Sequence, residues 1–64
     1  MSKERSFQEV VEHMLYLINF GTAINNLPAD LIAEFKSRIA SEINTIQKQD
    51  VKNEAIRLYQ KLGN

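Results

Sequence analysis

The sequence predicts an all-α protein: an antiparallel helical hairpin followed by a short C-terminal third helix, with two copies dimerising into a helical bundle. Three observations carry this. Breakers are few, with Pro28 the sole proline and Gly21 and Gly63 the sole glycines. Apolar residues recur at spacings of three and four, the period of one helix face. The last apolar stripe is out of phase with the one before it, so a single straight rod cannot carry both.

Helix 1 is expected over about 6–25. Ser6-Phe7-Gln8-Glu9 fits a capping box, in which the serine side chain and the glutamate three residues later satisfy backbone N–H groups that a helix start leaves unpaired. Phe7, Val10, Val11, Met14, Leu17 and Ile18 then fall inside an arc of about 120°, with Leu15 at its edge. A second apolar set, Tyr16, Phe20, Ala23 and Leu27, lies near the opposite side if the helix continues through Gly21. A helix apolar on two faces is either central in a bundle or pressed against a second chain.

Asn25-Asn26-Leu27-Pro28 reads as a turn, with Pro28 opening helix 2 at about 28–47 and Asp30 in its first turn, where a carboxylate suits the helix dipole. Leu31, Ile32, Phe35, Ile39, Ile43 and Ile46 make one stripe. The short turn sets helices 1 and 2 side by side as an antiparallel hairpin.

Helix 3 is expected over about 51–62, with Asp50 as its N-cap and Gly63 as its C′ residue. Its apolar residues are Val51, Ala55, Ile56, Leu58, Tyr59 and Leu62. On one continuous helix from Pro28 they would sit about 150° around from the helix 2 stripe. Either the chain breaks near 47–50 or the far stripe faces another subunit, and a break followed by a short third helix is the favoured reading. No repeat or linker divides it, so 1–64 reads as one domain.

Sixty-four residues make a small core, about 60% of the unfolded surface being buried at this size. Chains in this range often add a disulfide, a metal or a second subunit. Cysteine is absent, which excludes disulfides, thiolate zinc sites and Cys nucleophiles. Oligomerisation is the device left, hence the expected homodimer. Eight Lys and Arg balance eight Asp and Glu, against the basic excess typical of nucleic-acid or anionic-membrane binders. The mixed-charge start is unlike a secretory leader, and the most apolar stretch, 10–24, is interrupted by Glu12, His13 and Asn19. A cytoplasmic protein without a membrane span is the default reading.

Signals for catalysis are weak. His13 follows Glu9 by one helical turn, but a zinc helix of the familiar kind needs two histidines and the chain has one. The carboxylates are scattered, no nucleophile elbow surrounds Ser6, Ser37 or Ser41, and two isolated glycines make no phosphate loop. The expectation is a non-enzyme without cofactor or metal.

Two binding readings follow. In the first, a small regulatory module binds a protein partner, or itself, through apolar helix faces, with Tyr16, Phe20 and Leu27 as the contact residues, since aromatic anchors dominate such interfaces. If helix 3 covers that second stripe within one chain, no surface is left over. In the second, the C-terminal segment binds nucleic acid through Lys48, Lys52, Arg57 and Lys61, with Asn53 and Gln60 at base edges, in a helix-turn-helix-like arrangement.

Overall fold

The computed structural model describes residues 5–63; residues 1–4, in the mixed-charge start, and residue 64 lie outside the described residues. Three α-helices form, α1 (Phe7–Asn19), α2 (Ala29–Glu42) and α3 (Gln49–Leu62). Short 3-10 turns, Ile24–Asn26 and Ile43–Thr45, precede and follow α2. No strand occurs among the described residues. No described helix is long and apolar enough to cross a membrane.

The start of α1 is as the sequence implies. Ser6 Oγ accepts the Glu9 backbone N–H at 3.2 Å, and Glu9 Oε1 accepts the Ser6 N–H at 3.1 Å. This capping box satisfies two donors that the helix cannot.

The end of α1 corrects the expected span of 6–25: the helix stops at Asn19. Gly21 takes φ +99°, a left-handed conformation that a side chain disfavours. Thr22 N–H then bonds Leu17 O at 3.0 Å and Gly21 N–H bonds Ile18 O at 2.9 Å. That is a Schellman motif, with Gly21 at C′ closing the last carbonyls.

The expected continuation of the second stripe through Ala23 and Leu27 is therefore lost. Ala23 is an extended residue before the first 3-10 turn. Leu27, expected at a partner surface, is instead in the core at 4% exposure. Once the helix ends at Gly21, the chain direction changes and Leu27 is no longer in phase with Tyr16 and Phe20.

Helix α2 is also shorter than the expected 28–47. Pro28 caps it from an extended conformation, and Glu42 is its last α residue before the 3-10 turn. Ile46 keeps its place in the core, but from an extended segment beyond the helix.

The break between helices 2 and 3 is present. Residues Ile46 and Lys48 are extended, and α3 begins at Gln49, two residues earlier than expected. Lys48, not Asp50, is the N-cap residue, and no side chain caps that end. Asp50 sits in the first turn, where its charge still suits the dipole. Gly63 closes α3 in a right-handed conformation, φ −75°, rather than the left-handed one of a C′ glycine.

Helix α2 runs back along α1. Phe7 at the start of α1 stacks on Phe35 in α2, ring centroids 5.6 Å apart and planes 15° from parallel. Beyond the end of α2, Gln47 N–H reaches Gln8 Oε1 at 3.1 Å. Helix α3 then runs in the direction of α1, with Leu58 and Lys61 beside Ile18 and Asn19. Phe7, Val10, Val11, Met14, Leu31, Phe35, Ile39, Val51, Ala55 and Leu58 meet with Leu27 and Ile46 in one core. Among the described residues this core contains no buried polar side chain.

An ion-pair network runs along the outside of α2. Arg38 donates to both oxygens of Glu42 (2.8 and 2.7 Å) and to Glu34 Oε2 at 2.9 Å. The hydrogen bonds from Arg38 hold the Glu42 carboxyl below its ordinary value; partial desolvation opposes this, and the arginine charge adds to it. Glu34 also faces Arg5 at 3.5 Å, which links the start of α1 to α2.

Candidate functional site

The core leaves two apolar surfaces uncovered. The first is the outer face of α1. Tyr16 and Phe20 pack against each other one turn apart, centroids 4.7 Å and rings tilted by 50°, while remaining 58% and 74% exposed. On a helix they sit about 180° and 220° around from Phe7, directly behind the core-facing stripe. Helix α3 does not cover them. It packs on the same side of α1 as the core, where Leu15 and Ile18 meet Leu58.

The second surface is an open groove of ≈ 360 Å³ between α2 and α3, which no residue of α1 lines. Ile39, Ala40 and Ile43 form one wall, and Lys52, Ile56 and Tyr59 form the other. Ile56 is 42% exposed and Tyr59 45%, although α3 buries Val51, Ala55 and Leu58 a third of a turn away. Ile56 and Tyr59 belong to the α3 stripe in the sequence, but this stripe is too wide for one core. From Leu58 around to Ile56 it spans about 160°, and that width was the available signal.

A third depression, ≈ 340 Å³, lies between α1 and α3 and is more polar, with Asn19, Glu54, Arg57 and Lys61 beside Leu15 and Ile18.

The four cations of the nucleic-acid reading are divided between these places. Lys52 lines the α2–α3 groove, and Lys48 lies one turn before it, Lys52 N–H bonding Lys48 O at 3.0 Å. Arg57 and Lys61 line the depression beside α1, next to Glu54. Lys52 and Arg57 are about 140° apart around α3, so one groove of a duplex cannot meet both pairs. Asn53, suggested as a base reader, accepts the Gln49 side-chain N–H at 3.0 Å.

His13 is exposed on the flank of α1, its Nδ1 3.0 Å from Arg5 Nη1. A guanidinium only donates, so Nδ1 is the acceptor in this contact. Among the described residues no three His, Cys, Asp or Glu side chains are grouped so as to hold a metal ion. Compared with known proteins, the chain matches no family model, no curated protein and no solved structure.

Proposed function

We propose that this is a small, non-enzymatic interaction protein that binds a protein partner through apolar helix surfaces outside its own core. The observation that carries the reading is the α2–α3 groove, with Ile56 and Tyr59 nearly half exposed beside Ile39, Ala40 and Ile43. Rings and branched side chains in a concave strip are the usual anchors of a protein interface, because they release water from a large area at small entropic cost.

Tyr16 and Phe20 favour a second form of the same reading, self-association. Their outer face suits a two-fold seam in which the same patch of each copy meets its equal. Nucleic-acid binding is less well supported, because Lys48 and Lys52 stand apart from Arg57 and Lys61.

Photo-crosslinking in the source cell tests the proposal. A benzophenone side chain at position 59, and separately at position 20, is expected to give protein adducts of defined mass. The same group at Ser41, exposed and about 150° around α2 from the middle of the groove wall, is expected to give none. Absence of a protein adduct from both aromatic positions overturns the reading.

A further inference from the structure

Resting on that reading, we propose that the α2–α3 groove docks an amphipathic helix of a partner protein whose apolar stripe is flanked by acidic side chains. The charges on α2 and α3 are sorted by side. The chain is neutral overall, yet the groove side is not.

On α2 the groove wall is Ile39, Ala40 and Ile43. Lys36 precedes Ala40 by one turn on that same stripe and is exposed. Asp30, Glu34 and Glu42 all lie more than about 100° around α2 from the middle of the groove wall. Glu34 and Glu42 are moreover engaged by Arg38.

Helix α3 repeats the arrangement. Lys48 and Lys52 lead into Ile56 and Tyr59, while Asp50 and Glu54 lie about 150° or more away. Glu54 faces the depression beside α1 instead. Among the described residues the groove is thus lined by apolar side chains, Asn44 and Lys52, and no carboxylate. Lys52 stands in the α3 wall, and Lys36 continues the α2 stripe one turn before Ala40.

A helix laid in a groove presents residues at i, i+3, i+4 and i+7 to the apolar floor, and its flanking positions face the rims. Here Lys48 and Lys52 lie on the α3 side, and on the α2 side Lys36 extends the stripe beyond the groove wall. Acidic flanks would be attracted and basic flanks repelled, so the rim selects among helices that share the same apolar stripe.

Two fluorescent peptides test this by anisotropy against the full chain. Both carry one Leu/Ile stripe in a helical sequence, flanked in one by Glu and in the other by Lys. The Glu-flanked peptide is expected to bind at least about ten-fold tighter, with the gap narrowing as salt is added. The double variant Lys36→Glu, Lys52→Glu is expected to reverse the order. Ile56→Asp, at a half-exposed position, is expected to abolish binding with an unchanged circular dichroism spectrum.

Equal binding of the two peptides, no binding of either, or an order unchanged by the lysine reversals overturns the proposal. So does a solution mass that rises with concentration and falls back to the monomer in Ile56→Asp, since a second copy then fills the groove. A crosslinked partner at position 59 without any charge preference removes the acidic helix and leaves the interaction reading standing. Loss of both removes both.

Discussion

Gln8 Oε1 accepts the backbone N–H of Gln47 at 3.1 Å, so the first turn of α1 holds the joint between α2 and α3. Gln8 is itself oriented by its own amide, which donates to Glu12 at 3.3 Å. The contact links residues 39 apart at the point where the chain leaves α2 and has no helix to pair its amides.

Gln8→Ala is expected to cost about 1 kcal/mol or less, because water can replace the lost acceptor at this exposed joint. Amide exchange distinguishes this from general loosening. The Gln47 amide is expected to exchange much faster in the variant, whereas the Phe35 amide follows only the small change in global stability.

Phe35→Ala is expected to be severe. Phe35 is fully buried and stacked on Phe7. Truncating a buried phenylalanine costs about 3–5 kcal/mol, and a stacked pair adds about 0.5–1.5 kcal/mol beyond burial. A domain this small has little more to lose, so circular dichroism at room temperature is expected to show a largely unfolded chain.

Gly21→Ala isolates a backbone effect. A Cβ built at Gly21 meets no atom within 4 Å, so no clash arises. The expected loss of about 1–2 kcal/mol comes from forcing an L-residue into the left-handed region. Gly21→Asn is expected to melt at a temperature between those of wild type and Gly21→Ala, since asparagine tolerates that region better.

Acid is expected to weaken the fold partly through Glu42. The Arg38 hydrogen bonds lower its folded-state value below the ordinary 4.5. The unfolded chain therefore takes up this proton first as pH falls. The contribution of the pair is fully present above the ordinary value and is lost as pH drops through the lowered one. Urea midpoints measured from pH 6 to pH 2 are expected to fall less in Glu42→Gln than in wild type over the acidic part of that range.

Phe20→Asp is expected to leave the monomer folded, within about 0.5 kcal/mol of wild type by thermal melting, because Phe20 is 74% exposed. If wild type self-associates through the outer face of α1, sedimentation is expected to show that association lost in this variant. An unfolded Phe20→Asp monomer would mean that the ring is part of the core after all.

The sequence was most informative where the controlling interactions are local. The Ser6–Glu9 capping box lies within four residues. The break before α3 is favoured by helical phase, since a straight rod cannot turn both stripes toward one core. Gly21 shows the limit of that reasoning. A single glycine inside an apolar pattern is compatible with continuing the helix or with ending it, and the carbonyls of Leu17 and Ile18 decide the matter only once Thr22 can fold back on them. The misplacement of Leu27 follows from that one junction.

The groove was hidden for a different reason. A helical wheel shows that Ile56 and Tyr59 are apolar and near the core stripe, but their exposure depends on how closely α2 approaches α3. That distance is set by the joint at 43–48, where Ile46 fits the helix 2 period yet lies in an extended segment. The division of the cations had the same origin: four basic residues in one segment looked like a cluster until the helix distributed them around its axis.

The wholly apolar core has a consequence for inheritance. No buried hydrogen bond among the described residues obliges any two helices to meet at one particular pair of side chains. Within the core, shape selects the packing, and shape is met by many combinations of Leu, Ile, Val, Met and Phe with similar total volume. Descendants of this chain are thus free to exchange interior residues extensively while keeping the bundle. Their kinship is then best sought at Ser6, Gly21 and the Gln8–Gln47 contact, where backbone geometry narrows the choice.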